Sequence, residues 1–225
     1  MVGADGMRSG IARKVGARAY QQHPPLTAVY YSYWSGIRGL GASFHARPGQ
    51  LILVWPTNDD LTCIYVAWPR HDFHQVRRDI QGRFDSALEL VPGLREAVAA
   101  GHREARFTGT ADLPNFYRQA AGPGWALAGD AGHHKDPAIA RGIADAFRDA
   151  DLLAAAVADG WHGDLDAALA EYGRQRDRCA IPLSDANLDI ARLDMPTPAL
   201  GAAWLHMTEL EQALDDPAAA ADQAT

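Results

Sequence analysis

The sequence predicts an α+β fold with an α/β component, because strand-like and helix-like patterns occupy different stretches of the chain. Three runs rich in β-branched and aromatic residues lie between residues 28 and 68. Beyond residue 142, apolar residues recur at the three- and four-residue steps of helices. Between these regions, a short apolar run ends in Gly-Asp, which is typical of a buried strand that ends at a polar edge.

The overall composition indicates a soluble globular protein of one domain or two small ones. The 225 residues are 48% hydrophobic and 22% charged, which is ordinary for a folded core. The net charge of −7 argues against a nucleic-acid or anionic-membrane partner. The two cysteines, Cys63 and Cys179, are too few for a disulfide framework, so we expect a cytoplasmic protein. No apolar run approaches the ~20 residues of a membrane span.

The first 25 residues predict a strand, a turn and a short helix. Val2 to Gly6 read Val-Gly-Ala-Asp-Gly, which is the chemistry of a strand end followed by a turn. Ser9 is predicted to cap a short helix that carries Ile11 and Val15. The basic residues here resemble those of a targeting peptide, but the segment has no apolar signal core.

Strands are predicted next, followed by helices. The predicted strands cover residues 28–34, 50–55 and 61–68, with a hairpin turn at 56–60 and an edge or returning strand over 103–110. Helices are predicted over 71–90 and 94–100, separated by Pro92-Gly93. Residues 114–119 are interpreted as a linker to the strand at Trp125.

The stretch from residue 124 to 151 is the most informative part of the chain. Trp125 to Ala128 predict a strand, and a helix is predicted from Gly142. Its apolar residues are expected to form the buried face, with the charged ones mostly turned away: Ile143, Ala146, Phe147, Ala150, Leu153 and Val157 against Asp145, Arg148, Asp149 and Asp151. The intervening loop of roughly ten residues is longer than the usual 2–6 or so, which favours a ligand-binding loop.

The residues of this loop indicate what kind of ligand it would bind. The Asp130 carboxylate at the strand tip is able to accept two hydroxyl hydrogen bonds. The free N–H groups at the helix start, around Gly142 and Ile143, favour negative charge, and Gly142 allows close approach to the backbone. A polyol chain joined to a ring that becomes anionic on reduction suits both features.

This strand, Gly129-Asp130, loop and helix closely resemble the second flavin-binding motif of FAD-dependent monooxygenases of the para-hydroxybenzoate hydroxylase type. The resemblance implies that Asp130 binds the ribityl hydroxyls of FAD. It implies that Gly142 and Ile143 bind the pyrimidine edge of the isoalloxazine and that Pro137 lies beside the ring. An ordinary strand-loop-helix connection is the alternative.

Asp5 and Gly6 resemble the other internal motif of the same family, the Asp-Gly motif. That motif packs near the flavin and is implicated in pyridine-nucleotide binding, so the resemblance implies NAD(P)H as electron donor. A plain turn before a helix is the alternative. The predicted strands resemble the family's antiparallel sheet over the substrate cavity. Candidates for the cavity wall are aromatic residues, which in strands more often pack in a core: Tyr31, Tyr33, Trp55 and Tyr65.

The resemblance divides the chain into three parts. Residues 1–25 and 111–160 correspond to a remnant of the FAD-binding domain, 26–110 to the antiparallel-sheet substrate domain and 161–225 to a C-terminal helical segment. In the last part, Asp164 is predicted to cap a helix over 165–179 and Pro182 to interrupt it. Further helices are expected over 183–193 and 200–214, before a frayed tail from 217 to 225.

The Gly-x-Gly-x-x-Gly phosphate loop of the family has no counterpart in this sequence; residues 36–41 have a different glycine spacing. The resemblance therefore covers only the later part of a complete enzyme. The expected function is that of a FAD-dependent, NAD(P)H-dependent monooxygenase of a small organic substrate. A reductase of the same fold, a non-enzymatic remnant, and a half-protein that pairs with a separate nucleotide-binding chain are the alternatives.

The histidines do not indicate a metal site, because adjacent His133 and His134 have no Cys or carboxylate ligand at a standard spacing. His133 matches a histidine that is structural in the family, whereas His134 or Lys135 is a candidate to contact the flavin or the substrate. No catalytic acid or base is assigned. Asp136 has no assigned role and is expected to be a neutral comparison for Asp130.

Overall fold

A computed structural model describes residues 1–37 and 39–215. The predicted tail, from 217 to 225, and Arg38 lie outside the described residues. The chain divides into two compact units. The motif unit comprises Met1–Pro24, Pro114–Asp189 and the chain from Ala203; the sheet unit comprises Pro25–Leu113 and Ile190–Ala202. The predicted division into three parts stays a prediction.

Both units contain strands and helices, so the predicted mixed fold class is confirmed. The strands are β1 Val2–Gly3, β2 Ala19–His23, β3 Thr27–Ser35, β4 Ser43–Arg47, β5 Gln50–Pro56, β6 Thr62–Pro69, β7 His102–Arg103, β8 Thr108–Thr110, β9 Asn115–Arg118, β10 Ala121–Gly122, β11 Trp125–Leu127 and β12 His133–His134. The α-helices are α1 Gly10–Lys14, α2 Phe73–Arg78, α3 Ile80–Leu88, α4 Leu94–Ala100, α5 Gly142–Gly160, α6 Leu165–Ala191 and α7 Thr197–Asp215. Among the described residues, none of these helices has the length and apolar character to cross a membrane.

The motif unit contains two small sheets of three strands each. In the first, β11 pairs in parallel with β1 and antiparallel with β10, so the strand predicted at Trp125 is confirmed. In the second, β9 is the central strand between β12 and β2. The prediction of a linker over 114–119 was wrong. Because Asn115, Phe116 and Tyr117 are buried and β9 pairs on both edges, this segment is a core strand.

Helix α5 begins at Gly142 as predicted, but its buried face differs from the predicted one. Ile143 and Phe147 are 76% and 70% exposed, whereas Asp145 and Asp149 are 2% and 0% exposed. The first two turns present carboxylates to the preceding loop, and burial of apolar side chains begins only near Leu153. The prediction was wrong because the two carboxylates have polar partners outside the helix. These partners, which the apolar pattern of the helix does not reveal, decide which face is buried.

Helix α6 is continuous through Pro182, contrary to the predicted interruption. Pro182 removes one backbone donor, but Ala180 and Leu183 on either side are completely buried, so packing holds the helix together. The predicted cap is confirmed: the Asp164 carboxylate accepts a hydrogen bond from the Ala167 N–H at 2.9 Å. The Tyr172 hydroxyl donates to the Leu127 carbonyl at 2.6 Å and ties α6 to the end of β11.

The sheet unit contains a six-stranded antiparallel sheet in the order β4-β5-β6-β3-β7, with β8 also paired to β3. The three predicted strands and the hairpin turn are confirmed as β3, β5 and β6. Strand β4 was not predicted, and the strand predicted over 103–110 is two short strands. One face of the sheet packs on the helices that follow it, through a cluster that includes Trp34, Ile64, Trp68, Phe84 and Leu88.

The helix predicted over 71–90 is interrupted at Asp79. A 3₁₀ turn over Arg70–Asp72 leads into α2, and α3 begins afresh at Ile80. Asp79 has a non-helical backbone (φ −143°, ψ 69°), and its carboxylate accepts a hydrogen bond from the Gly82 N–H at 2.9 Å. The short polar side chain of Asp79 thus starts a second helix, whereas the apolar periodicity alone predicted a single continuous helix.

Candidate functional site

The Gly-Asp motif forms a tight turn at the end of β11. Gly129 has a left-handed backbone (φ 57°), and a Cβ there would lie 3.1 Å from the Ala146 Cβ, so the turn requires glycine. The Gly129 N–H donates to the Asp149 carboxylate at 2.9 Å. Asp130 follows in a 3₁₀ turn and is exposed. Among the described residues nothing donates to its carboxylate, which is therefore available to a ligand.

His133 is part of the structure that supports this turn. Its Nε2 lies 3.0 Å from the Asp149 carboxylate, and the two side chains are 1% and 0% exposed. The ring stacks on Tyr117 with centroids 5.1 Å apart and planes 10° from parallel. Burial lowers the pKa of His133, and the nearby Asp149 carboxylate opposes that effect only in part. His133 is therefore neutral near pH 7, and Nε2 carries the hydrogen because Asp149 is an acceptor.

Lys135 belongs to a buried group of charges next to the turn. Its Nζ donates to the Asp145 carboxylate, and the Arg148 Nη2 lies 2.8 Å from the same carboxyl group. Burial alone would raise the pKa of Asp145, but Lys135 and Arg148 hold it below its usual range. Burial lowers the pKa of Lys135, and Asp145 opposes this. The positive charge of Lys135 is thus matched by a carboxylate before any ligand binds.

His134 is held by a different set of contacts from its neighbour. Its Nδ1 lies 2.5 Å from the Pro114 carbonyl oxygen, and its ring stacks on Phe116 with centroids 5.9 Å apart. The residue is 8% exposed. Its Nε2 makes no hydrogen bond within the described part of the chain, so one ring nitrogen remains open.

These elements surround a pocket of about 130 Å³. The residues that line it include five of the predicted site residues, which the structure therefore brings together: Gly129, Asp130, His134, Pro137 and Gly142. The lining also contains the charged side chains of Lys135, Asp136, Arg141 and Asp145.

The start of α5 faces this pocket without a side-chain cap. Arg141 occupies the N-cap position and makes no capping hydrogen bond; its guanidinium pairs with Glu211 instead, at 2.9 Å. The first N–H groups of α5, those of Gly142 and Ile143, therefore lack side-chain partners. A Cβ on Gly142 would meet nothing within 4 Å, so the space beside this residue is open. The side chain of Ile143 does not line the pocket, and its predicted role concerns only its backbone N–H.

Asp136 is not the neutral comparison that we expected. It is 1% exposed, its N–H donates to the Asn115 side chain at 2.7 Å, and its carbonyl accepts from Asn187 at 2.9 Å. Its position in the sequence gave no sign of this burial. Asp151, which is exposed on α5, is the better comparison for Asp130.

The Asp-Gly motif lies outside the pocket lining. The Asp5 carboxylate accepts hydrogen bonds from Ser9 Oγ at 2.5 Å and from the Gly10 N–H at 2.7 Å, so it caps α1 together with Ser9. These bonds, chiefly that from Ser9, lower the pKa of Asp5. Gly6 has the left-handed φ of 79° that the turn requires. The predicted role of both residues in nucleotide binding stays a prediction.

Arg118, on β9, connects the two motif loops. Its Nη1 donates to the Ala131 carbonyl and its Nη2 to the Met7 carbonyl, both at 2.9 Å. The guanidinium carbon lies 4.0 Å from the centroid of the Phe116 ring. Sequence analysis missed this residue because its segment was interpreted as a linker. A lone arginine among buried aromatic residues, in the run Asn-Phe-Tyr-Arg, was the signal available.

In the sheet unit, the four predicted wall residues share one face of the sheet. Tyr31 lies opposite Tyr65 in the β3–β6 pairing, and Tyr33 and Trp55 both lie opposite Cys63. Strand alternation places them on the face opposite the helix-packed cluster. Tyr31 and Tyr33 meet edge to face at 6.0 Å. Their role toward a substrate stays a prediction.

Two further observations concern reactive side chains. Burial raises the pKa of the Cys63 thiol to about 11, so it is inert core at neutral pH. No cluster of three or more His, Cys, Asp or Glu side chains able to hold a metal ion occurs within residues 1–37 and 39–215.

Several solved structures that are similar to this chain share one fold. PqsL, a probable FAD-dependent monooxygenase from Pseudomonas aeruginosa, superposes with a TM-score of 0.75 at 21% identity, over 90% of this chain and 58% of its own. The myxobacterial FAD-dependent halogenase CndH gives 0.73 at 17%, over 96% and 56%. HpxO of Klebsiella pneumoniae, in complex with FAD and uric acid, gives 0.65 at 19%, over 94% and 55%.

The chain therefore has the fold of FAD-dependent monooxygenases and flavin-dependent halogenases, and it spans 55–58% of the length of these three structures. No protein-family model matches it, and no curated protein matches it in sequence. At these identities, the similarity concerns the fold.

Proposed function

We propose that this chain is the later part of a FAD-dependent oxidoreductase, an NAD(P)H-dependent monooxygenase that acts on a small organic substrate. The observation that carries the proposal is the convergence, on one pocket, of an unpaired carboxylate and an uncapped helix start. The Asp130 carboxylate suits the hydroxyls of a ribityl chain, and the first N–H groups of α5 suit a ring edge that gains negative charge. A fold shared with a monooxygenase, a halogenase and an FAD complex supports it.

In this proposal the chain binds and orients the flavin, which supplies the redox chemistry when bound. Asp130 accepts the ribityl hydroxyls, and the N–H groups of Gly142 and Ile143 face the pyrimidine edge. Pro137 lies beside the ring. Asp5 and Gly6 lie in the loop that serves the pyridine nucleotide, and Arg118 supports that loop and the Asp130 loop together.

The size of the pocket leads to the second part of the proposal. At about 130 Å³ it is well below the roughly 300–1,000 Å³ of sites that enclose a ligand of cofactor size. We therefore propose that a nucleotide-binding polypeptide, in the same chain or a separate one, completes the FAD site. In the described residues β1 pairs with β11 on one edge only, and Met1 and Val2 are 71% and 53% exposed. A free strand edge of this kind accepts a further strand.

Titration of the purified 225-residue chain with FAD tests this second part. We expect little change in flavin fluorescence and no NAD(P)H oxidation above that of free flavin. Addition of the nucleotide-binding polypeptide should restore tight binding. A stoichiometric yellow protein after gel filtration of the chain alone would show that the chain needs no such partner.

Substitution of Asp130 tests the flavin assignment itself, in the form of the protein that binds FAD. Asp130→Ala removes both acceptors, which should cost about 2–4 kcal/mol and weaken FAD binding roughly 30- to 1000-fold. Asp151→Ala is the matched control and should bind FAD as the unsubstituted protein does, because Asp151 is exposed on α5. Melting of the apo-proteins should be similar for both variants. FAD affinity within about threefold of the unsubstituted protein would mean that the assignment is wrong.

The alternatives give different results in the same experiments. A reductase of the same fold would bind FAD and oxidise NAD(P)H but leave no oxygen atom in the product. A non-enzymatic remnant would bind no FAD even with the nucleotide-binding polypeptide present.

A further inference from the structure

We propose that His134 is the proton acceptor of the pocket and takes a proton from a weakly acidic O–H or N–H group of the ligand bound there. The inference rests on the proposed function and specifies it further: the organic substrate reaches this pocket beside the flavin and carries such a group.

The hydrogen bond of His134 determines which nitrogen is free. Its Nδ1 lies 2.5 Å from the Pro114 carbonyl oxygen, which has no hydrogen to donate. Nδ1 must therefore carry the hydrogen, and in the neutral ring Nε2 carries the lone pair. Nε2 makes no hydrogen bond to any described residue, although His134 lines the pocket. The same bond persists when Nε2 takes up a proton, because Nδ1 carries a hydrogen in both forms of the ring.

The surroundings keep this nitrogen in place. The ring stacks on Phe116 at 24° from parallel, and β12 pairs His134 directly with Phe116 on β9. Neither Phe116 nor the Pro114 carbonyl carries a charge. A histidine held at one nitrogen, stacked on one face and only 8% exposed loses little conformational entropy when it acts on a ligand.

The adjacent His133 has the opposite arrangement and cannot act as the proton acceptor. Its Nε2 donates to Asp149, and its side chain is 1% exposed. Burial lowers its pKa, so it stays neutral and shielded. Two consecutive histidines in one short strand thus carry their hydrogens on opposite nitrogens.

Four of the charged side chains that line the pocket already have a partner or an assigned role. Lys135 is paired with Asp145, and Arg141 with Glu211. Asp130 is assigned to ligand hydroxyls. The ionisable side chains that line the pocket with His134 are His133, Asp130, Lys135, Asp136, Arg141 and Asp145.

The proposed step is a proton transfer without any redox change. The ligand O–H or N–H bond breaks, its electron pair stays on the ligand atom, and the proton bonds to Nε2. The ring becomes an imidazolium whose Nδ1–H remains on the Pro114 carbonyl. The proton then leaves Nε2 for solvent, and the neutral ring is restored.

Imidazole ¹⁵N NMR of the purified chain tests the arrangement without any cofactor. Above pH 7.5 we expect His134 as the Nδ1–H form and His133 as the Nε2–H form, the tautomers that their hydrogen bonds specify. Assignment by His134→Gln and His133→Gln identifies the signals. An Nε2–H form of His134 would overturn the inference.

Activity of the FAD-loaded enzyme tests the catalytic role. His134→Gln should lower kcat/KM about 10²-fold at pH 8, because no acceptor remains for the ligand proton, with FAD affinity within threefold. His162→Gln, an exposed histidine in the turn after α5, is the matched control. A His134→Gln enzyme whose kcat/KM stays within about threefold of the unsubstituted value would contradict the inference. Absence of FAD binding would contradict the proposed function instead, and the NMR result would still decide the state of His134.

Discussion

The sheet unit and the motif unit bury different kinds of side chain. The cluster at the centre of the sheet unit is apolar throughout, and the fully buried polar residues described there are small hydroxyl residues: Thr27, Ser32 and Thr62. In the motif unit, the buried residues include carboxylates and a guanidinium, at Asp136, Asp145, Asp149 and Arg176. An apolar core depends mainly on volume, whereas a buried polar group depends on one particular partner. The two units should therefore respond differently to substitution.

The largest effect is expected in the apolar core of the sheet unit. Phe84 is completely buried against Trp34 and Phe107, so Phe84→Ala should lower the free energy of unfolding by about 3–5 kcal/mol. Phe84→Leu should restore much of it, because the site requires apolar volume. Denaturant titration measures both, with Phe44→Ala at a 46% exposed position as control. Equal losses for the alanine and leucine variants would contradict the assignment of this core as volume-dependent.

A comparable loss is expected in the motif unit from a polar substitution. Asp149→Ala leaves two buried donors, the Gly129 N–H and the His133 Nε2–H, without an acceptor and should cost about 2–5 kcal/mol. Asp149→Leu should not restore stability, in contrast to the behaviour at Phe84. The exposed Asp151→Ala should cost less than about 0.5 kcal/mol. Rescue by leucine would mean that Asp149 contributes volume rather than hydrogen bonds.

Arg118 offers a smaller and more local test of the same comparison. Arg118→Met removes the bonds to the Met7 and Ala131 carbonyls and should cost about 1–2 kcal/mol. Hydrogen exchange should accelerate together in residues 5–10 and 129–133 and remain unchanged in β3 to β6. Arg174→Met, at a 63% exposed side chain, is the control. Faster exchange in only one of the two loops would show that Arg118 does not link them.

The smallest effect is a pH dependence that belongs to the motif unit. The pKa of His133 is lower in the folded state than the ordinary 6.5, so the unfolded chain binds more protons below that pH. Stability is therefore complete above about pH 6.5 and falls as the pH decreases, by at most about 1.4 kcal/mol per pH unit from this residue. In His133→Gln, the decline in unfolding free energy between pH 6.5 and 5 should be shallower by up to that amount. An unchanged slope would show that His133 does not remain neutral in the fold.

Predictions from local pattern succeeded where one dominant preference decides the structure. Strands β3, β5 and β6 consist of long β-branched and aromatic runs, and Ser9 and Asp164 cap helices as predicted. They failed where distant partners decide. The segment of β9 was interpreted as a linker because polar residues stand at both ends of its short apolar centre. The break at Asp79 was missed because it interrupts an otherwise helical pattern.

Asp130 shows what the sequence by itself determined: a strand, a Gly-Asp turn, a loop and a helix start, in that order, since each follows from residue type and spacing. Only the tertiary structure decided which face of α5 is buried. Two pairs of residues were able to form the buried face, and the members of each pair are four residues apart: Ile143 with Phe147, and Asp145 with Asp149. Hydrophobicity favoured the first pair. In the folded chain the second pair is buried, because Lys135 pairs with Asp145, and His133 and the Gly129 N–H both bind Asp149. Buried polar groups are stable only with partners, and partners are a property of the folded chain.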